Sequence, residues 1–254
     1  QLRRKMGKAS RRMKKDSTST SVRLNRIKSS LERANSLSNP LVDLGLTDLT
    51  SFKASGDRHG ESKFVVRFYR SPLSSNLRKD CLSLFERNME QLYRNSSWGF
   101  DIMEKDQEFR HRDARFLVVT EETDKAIFSQ NTSRVVAFSH FRFEPDDETY
   151  AQEEVMYIYE VQVDETVRRV GLGRRIMSIM ELIAMRQQMR RVILTVFKSN
   201  VSAMNFYLKN MKYSIDATSP SQYEGGENDT ADYEILSKRL WKETNEWQVC
   251  LDDK

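Results

Sequence analysis

Cysteine, proline, glycine and histidine are scarce in this 254-residue sequence, with two, four, nine and three copies respectively. The two cysteines, Cys81 and Cys250, cannot build a disulfide framework, which favours a reducing compartment. The histidines, at positions 59, 111 and 140, lack metal-ligand spacing, so we expect no metal site. No apolar run approaches the roughly 18 residues of a membrane span, and no signal-peptide core is present. We therefore expect neither a disulfide-stabilised scaffold, a metalloprotein nor a membrane protein.

Positive charge is concentrated at the start of the chain. The first forty residues carry a net charge of about +10, whereas the whole chain carries +5. The remaining residues are therefore slightly acidic, and the high pI reflects a basic arm rather than a basic domain. We expect the arm, residues 1–21, to be disordered in isolation. It fits a segment that contacts nucleic acid or the ribosome, and it fits a solvated tail equally well.

Hydrophobic periodicity divides the rest of the chain. Helical spacing predicts helices over 22–34 and 77–93, and residues 43–62 are loop-like. Strands are predicted at 64–69, 116–120, 134–144, 155–163, 192–197, 213–216 and 232–236, the second to fourth of them forming an antiparallel meander. The fold class is α/β (α+β), with a mixed sheet flanked by helices. The predicted divisions are the arm 1–21, a helix and loop 22–62, the main domain 63–240 and a polar tail 241–254.

Residues 157–173, YIYEVQVDETVRRVGLG, combine a strand, a basic glycine-bearing loop and the start of a helix. Apolar residues continue from Leu172 to Ile183 at the spacing of one helix face. Glycines allow close backbone approach, and the first N–H groups of a helix favour anions, so a pyrophosphate fits here. Three arginines would add charge-assisted bonds, Arg168, Arg169 and Arg174. On spacing alone, a tight turn with solvated arginines is an equal alternative, because the dinucleotide and P-loop fingerprints are incomplete.

Two motifs carry a resemblance to a known family. Arg168-x-x-Gly171-x-Gly173, between a strand and a helix, resembles the acetyl-CoA pyrophosphate loop of the GNAT acetyltransferase superfamily. Downstream, Asn200-x-x-Ala203-x-x-Phe206-Tyr207 is similar to the second motif of the same superfamily. A narrower resemblance, over roughly residues 35 to 240, is to the N-terminal acetyltransferase D family, which acetylates the α-amine of histone tails. It is carried by VAFSHFRF (136–143), YEVQV (159–163), LTVFK (194–198), the Ser219-Pro220-Ser221 turn and YEIL (233–236).

The resemblance implies a GNAT fold with an N-terminal helical extension, acetyl-CoA as co-substrate and histone N-terminal tails as partners. It also implies a monomer located in the nucleus and cytoplasm. The implied cofactor-binding residues are Val161, Gln162, Val163, Arg168, Arg169, Val170, Gly171, Leu172, Gly173, Arg174, Thr195 and Asn200. The implied substrate-binding residues are Tyr93, Trp98, Glu144, Asp146, Tyr159 and Tyr233.

The implied catalytic residues are Glu160, Tyr159 and Tyr207. A peptide α-amine has a pKa near 8 (about 7.7–8.0), so a base need remove only one proton at modest cost. Glu160 is the candidate base, acting through water, because a carboxylate on an apolar strand is costly unless it is used. Alternatively, Glu160 bonds a neighbouring backbone group or arginine. Tyr159 would orient the amine, and Tyr207 occupies the position of an optional proton donor.

Other interpretations stay open. Tyr93 and Trp98 could be core aromatics, and the acidic loop 144–154 could be a solvated hairpin rather than a wall that attracts a basic peptide. The acceptor could instead be a lysine or a small amine. The chain could also be a non-catalytic chromatin or ribosome adaptor, although Glu160 and the Arg168–Gly173 loop argue against that.

Overall fold

The computed structural model describes residues 17–56, 60–122, 134–146, 153–222 and 230–241. The elements, in chain order, are α1 (Ser17–Ser36), α2 (Pro40–Asp43), β1 (Ser51–Gly56), β2 (Gly60–Arg70), α3 (Ser75–Arg94), α4 (Ile102–Phe109), β3 (Arg115–Glu122), β4 (Arg134–Asp146), β5 (Glu153–Val163), α5 (Leu172–Arg186), β6 (Arg191–Phe197), α6 (Val201–Asn205), β7 (Ser214–Ile215) and β8 (Tyr233–Arg239). A π-helical turn, Phe206–Asn210, follows α6. Within the described residues, no helix is long and apolar enough to cross a membrane.

Eight strands form one mixed sheet in the order β1-β2-β3-β4-β5-β6-β8-β7. Strands β1 to β5 are successive antiparallel neighbours, which confirms the predicted meander. Strand β6 lies parallel to β5, and β8 runs antiparallel to both β6 and β7. Parallel neighbours need a crossover connection, and α5 provides it between β5 and β6. The predicted mixed sheet is therefore confirmed.

Helices cover both faces of the sheet. On one face, α5 buries the predicted apolar stripe from Leu172 to Ile183 in the main core. Residue Ala34 brings α1 onto the same core as the expected N-terminal extension. On the other face, α3 and α4 pack through a second core that includes Phe85 and Phe109. Full burial of one such side chain contributes about 1.5–3 kcal/mol, so the two cores hold the sheet in place from both sides.

The structure differs from the sequence prediction at three elements. Residues 43–62 are not a loop throughout, because β1 pairs with β2 and places Phe52 5.4 Å from Phe64, ring centre to ring centre. A half-buried edge strand has few apolar residues, which is why its sequence resembled a loop. Helix α1 begins at Ser17, inside the predicted arm 1–21. Helix α4 was not predicted at all, since eight residues carry little periodicity. Residues 1–16, the loop segment 147–152 and the tail from 242 lie outside the described residues.

Candidate active site

Strands β5 and β6 part within the sheet. Their parallel register runs from Val155 to Ile158 on β5 and goes no further within the described strands, although β5 continues to Val163. Backbone N–H and C=O groups on the β6 side of this last segment therefore lack a neighbouring strand. Such groups need partners, and an extended ligand that adds like a strand supplies them. The parting thus opens a groove in the middle of the sheet.

The groove leads into a cavity of about 930 Å³. Its walls are the end of β5, the turn before α5, and α6 with the π-helical turn. Of the predicted cofactor residues, those lining it are Val161, Gln162, Val163, Arg168, Arg169, Gly171, Leu172, Gly173, Arg174 and Asn200. Thr195 lines the adjoining part of the groove and shares a 2.5 Å hydrogen bond with Tyr157. Val170 does not line the cavity but packs half-buried against the core.

The turn before α5 leaves the helix N-terminus open to a ligand. Gly171 has φ +93°, a conformation that favours glycine, and no side chain caps the helix at this residue. The first amides of α5 are therefore available to an anion, and the helix dipole adds positive charge. Gly173 serves close packing, because a Cβ there would lie 3.4 Å from the Phe206 ring. Arg168 donates to the carbonyl of Val163 at 3.1 Å, which ties the turn to β5.

A β-bulge aligns the candidate catalytic residues. On β4, His140 pairs with Glu160 and Phe141 pairs with Ile158, so Tyr159 has no residue directly opposite. Alternation along a strand would place Tyr159 and Glu160 on opposite faces. With the bulge, both contact the same side of the sheet, because Tyr159 stacks on His140 at 4.8 Å and Glu160 reaches α4. The bulge therefore brings two predicted site residues to one wall.

Glu160 is buried at 5% exposure and lines the groove. Its Oε1 accepts a hydrogen bond from Lys105 Nζ at 2.7 Å, and its Oε2 accepts one from Gln162 Nε2 at 2.7 Å. Burial raises the pKa of Glu160, although the Lys105 ammonium acts in the opposite direction. A carboxylate with a raised pKa is a stronger base, as proton removal from an amine requires.

Sequence reasoning missed the charged residues behind Glu160. Lys105 Nζ also donates to Glu108 Oε1 at 2.9 Å, and His140 Nδ1 lies 3.4 Å from the same oxygen. Burial, the largest effect on Glu108, raises the pKa of its carboxyl, but Lys105 and His140 together lower it to about 2. Burial lowers the pKa of His140 to about 4. A lysine in the middle of a short helix carries no signal in the sequence, since most such lysines are exposed.

Aromatic side chains form the outer end of the groove. Tyr93 and Trp98 line it, and both rings contact Phe197, at 5.0 and 5.1 Å between ring centres. Tyr233 packs on Trp98 at 5.0 Å. Three predicted substrate residues thus share one wall with Phe197, which the prediction omitted. All are half-buried except Phe197, so the core-aromatic interpretation applies to them only in part.

The two predicted acidic substrate residues lie in different places. Glu144 Oε1 accepts from the Tyr159 hydroxyl at 2.8 Å, next to the groove. Asp146 is buried and binds Arg191 in an ion cluster with Glu153. Glu144 therefore lies next to the groove through its bond with Tyr159, whereas Asp146 is engaged by Arg191.

Tyr207 and Asn200 sit where the groove meets the cavity. Asn200 Oδ1 caps α6 by accepting from the Ala203 N–H at 3.2 Å, and the residue lines both spaces. Tyr207 is buried on the π-helical turn, and burial raises the pKa of its phenol. A phenol with a raised pKa stays protonated and can donate. Turns of this kind inside helices are frequent at functional sites.

The described residues fit acetyl-CoA. An uncapped helix N-terminus beside Arg168, Arg169 and Arg174 suits a pyrophosphate, and the unpaired edge of β5 suits an extended amide-bearing chain. The described residues contain no cluster of ligands for a metal ion. These features are those expected of a transferase site that holds a phosphate-bearing carrier with an extended chain, and a buried carboxylate, Glu160, lines the adjoining groove.

Comparison with known proteins agrees with this class. The model of the acetyltransferase (GNAT) family matches residues 81–213, just over half of the sequence. The chain therefore belongs to the GNAT acetyltransferase family, whose members use acetyl-CoA.

The chain is also similar to several solved structures. One is an acetyltransferase of the GNAT family from Staphylococcus aureus, with 12% identity, 70% of this chain and 100% of that chain covered, and a TM-score of 0.48. Ard1 from Thermoplasma volcanium has 17% identity, coverage of 70% and 99%, and a TM-score of 0.44. The NatC complex bound to Gag peptide and CoA has 13% identity, coverage of 69% and 99%, and a TM-score of 0.44.

Buried neutral His140 predicts acid sensitivity. Its pKa falls from 6.5 to about 4 on folding, so between these values the unfolded state binds a proton that the folded state does not. The free energy of unfolding should therefore fall as the pH drops from 6.5 to 4.5, by about 2–3 kcal/mol from this group. Urea unfolding of the wild type and of His140→Gln at several pH values measures this loss. The variant should lack it, and parallel curves for the two proteins would contradict the prediction.

Proposed function

We propose that this acetyltransferase transfers the acetyl group of acetyl-CoA to the N-terminal α-amine of histone tails of the Ser-Gly-Arg-Gly type. The observation that carries the proposal is Glu160, a buried carboxylate that lines the aromatic groove adjoining the cofactor cavity. The resemblance to the N-terminal acetyltransferase D family supplies the histone substrate. Glu144, an acidic residue bound to the groove residue Tyr159, supports a cationic acceptor.

The residues divide the chemistry between them. Acetyl-CoA, when bound, supplies the acetyl thioester. Glu160 takes the proton of the amine through a water molecule, so that the nitrogen can form its bond to the carbonyl carbon as the carbon–sulfur bond breaks. N–H groups of the β5 segment beyond the β6 pairing, at Val161 and Val163, would stabilise the oxyanion, and Tyr207 would return a proton to the sulfur. Tyr159, bound to Glu144, orients the amine.

The other proposed partners follow from the basic arm. Residues 1–21 would contact nucleic acid or the ribosome, and most of them lie outside the described residues. The protein would act as a monomer in the nucleus and cytoplasm. The groove, rather than the arm, would select the tail.

Mass spectrometry of a Ser-Gly-Arg-Gly-Lys peptide after incubation with the protein and acetyl-CoA tests the proposal. We expect one added acetyl group, on the α-amine, and none on the same peptide with a blocked N-terminus. Acetylation of the blocked peptide would indicate a lysine acetyltransferase instead.

An adaptor would modify neither peptide and would not bind the cofactor. Acetyl-CoA at one hundred times its dissociation constant stabilises a protein that binds it by about 2.7 kcal/mol. Stabilisation by acetyl-CoA without acetylation of either peptide would support the acetyl-CoA site but reject the histone substrate. If acetyl-CoA neither stabilises the protein nor is used to acetylate a peptide, the proposed enzymatic activity is rejected.

A further inference from the structure

One buried ammonium, Lys105, lies between the buried carboxylate of Glu160 and the half-buried carboxylate of Glu108. Lys105 Nζ is 2.7 Å from Glu160 Oε1 and 2.9 Å from Glu108 Oε1, and the three side chains are 4–11% exposed. One positive charge cannot neutralise two carboxylates, so the ionised cluster carries one excess negative charge. Like charges in one buried site push two pKa values apart, and one carboxyl must accept a proton more easily than the other.

The contacts decide which carboxyl this is. Glu108 has a second favourable neighbour, because His140 Nδ1 lies 3.4 Å from its Oε1. Glu160 is held by Lys105 and the neutral amide of Gln162, and it alone of the two carboxylates lines the groove that adjoins the cofactor cavity. Accordingly the pKa of Glu108 is lowered, whereas that of Glu160 is raised. Two carboxyls with divergent pKa values are the usual pattern of a permanent charge beside a working base.

We propose that Lys105 and Glu108 are positioning residues that set the basicity of Glu160. Lys105 keeps Glu160 ionised, and Glu108 offsets enough of the Lys105 charge for Glu160 to accept a proton. The inference rests on the proposed role of Glu160 as the base. Neither residue needs to touch the substrate, since both act through Glu160.

Other titratable groups face Glu160 from the neighbouring elements, namely Tyr93 on α3, His140 on β4 and Tyr207 on the π-helical turn. Burial raises the pKa of both phenols, and the pKa of His140 is about 4, so these groups are neutral from about pH 5 to 9. Among the described residues, the charges that act most on Glu160 in this range are Lys105 and Glu108.

Removing the charge of Glu108 and removing that of Lys105 should shift the acid limb of the pH profile of kcat/KM in opposite directions. In Glu108→Gln, Lys105 pairs with Glu160 alone, so the acid limb should move to lower pH and the plateau should fall about tenfold, because the base is weaker. In Lys105→Met, Glu160 loses its cation, so the acid limb should move to higher pH. Lys105→Arg keeps the charge and should stay near the wild type. A merely structural role would not produce opposite shifts.

Carbon-13 NMR titration of the glutamate side-chain carboxyls gives the same answer without any turnover. The Glu160 signal is assigned by its loss in Glu160→Gln, and its midpoint should fall in Glu108→Gln and rise in Lys105→Met. Shifts in the same direction, or no shift, would overturn the inference. If Lys105→Met does not fold, the Glu160 midpoint in Glu108→Gln, compared with that in Lys105→Arg, still tests the predicted direction of the shift.

The two experiments separate this inference from the proposed function. If the Glu160 midpoint shifts in opposite directions in the two variants but the protein acetylates no amine, Lys105 and Glu108 control the basicity of Glu160, and Glu160 is not a catalytic base. Normal acetylation with an unchanged Glu160 titration midpoint in both variants would support the proposed function and reject the role of Lys105 and Glu108.

Discussion

Replacing Glu160 by glutamine is expected to lower kcat for α-amine acetylation by about 10²- to 10⁴-fold, the usual contribution of a general base. Glutamine has the same shape and can still accept the hydrogen bond of Lys105, but it cannot take the proton of the amine. Binding of acetyl-CoA should be nearly unchanged, because the cofactor cavity lies along the β5 backbone and the α5 turn. Steady-state kinetics with the histone-tail peptide, beside calorimetric acetyl-CoA binding, measure both effects.

The matched control is Glu181→Gln. Glu181 is a half-buried carboxylate on α5 that binds Lys238 at 2.8 Å, and it lines neither the groove nor the cavity. This variant should keep wild-type kcat within a factor of about two, since it removes a carboxylate without touching the site. A Glu160→Gln enzyme as active as this control would show that another group removes the proton.

Replacing Arg191 by methionine is expected to lower the free energy of unfolding by about 3–5 kcal/mol, the cost of removing one partner from a buried ion pair. Arg191 binds Glu153 through Nε at 3.0 Å, Asp216 through Nη1 at 2.5 Å, and Asp146 through Nη2. Methionine would remove the cation that these three carboxylates share, although Glu153 keeps a second arginine, Arg239, at 3.4 Å. Total stabilities of natural domains are about 5–15 kcal/mol, so urea unfolding should show a protein near the edge of folding.

Arg190→Met is the matched control for Arg191→Met. Arg190 is the preceding residue, and its guanidinium is 28% exposed and 3.9 Å from Glu154. Its loss should cost less than that of Arg191, because the contact with Glu154 is long and Glu154 keeps a second arginine, Arg26, at 3.6 Å. Equal losses in the two variants would mean that the cluster does not hold the sheet ends together.

The same cluster bears on Asp146. In the described structure its carboxylate is engaged by Arg191, so Asp146→Asn should affect stability more than the KM of the peptide. Glu144, which binds the Tyr159 hydroxyl, is the acid whose replacement should affect the KM.

Some features followed from the sequence alone because they depend on neighbours along the chain. The apolar spacing from Leu172 to Ile183 specified α5, and Gly171 with its basic flank marked an anion-binding helix start. The meander of β3 to β5 could likewise be predicted, since each of these strands is an alternating or apolar segment bounded by polar turns. Local periodicity is enough for such features.

Only the tertiary structure decided how the site is assembled. A bulge opposite His140 puts Tyr159 and Glu160 on one wall, although alternation along the strand would separate them. Lys105 reaches Glu160 from a helix 55 residues away, where nothing in its own segment marks it as buried. The Asp146 carboxylate forms an ion pair with Arg191 and does not line the groove. Each of these depends on contacts between segments that are distant in the sequence, and such contacts form only when the strands and helices pack together.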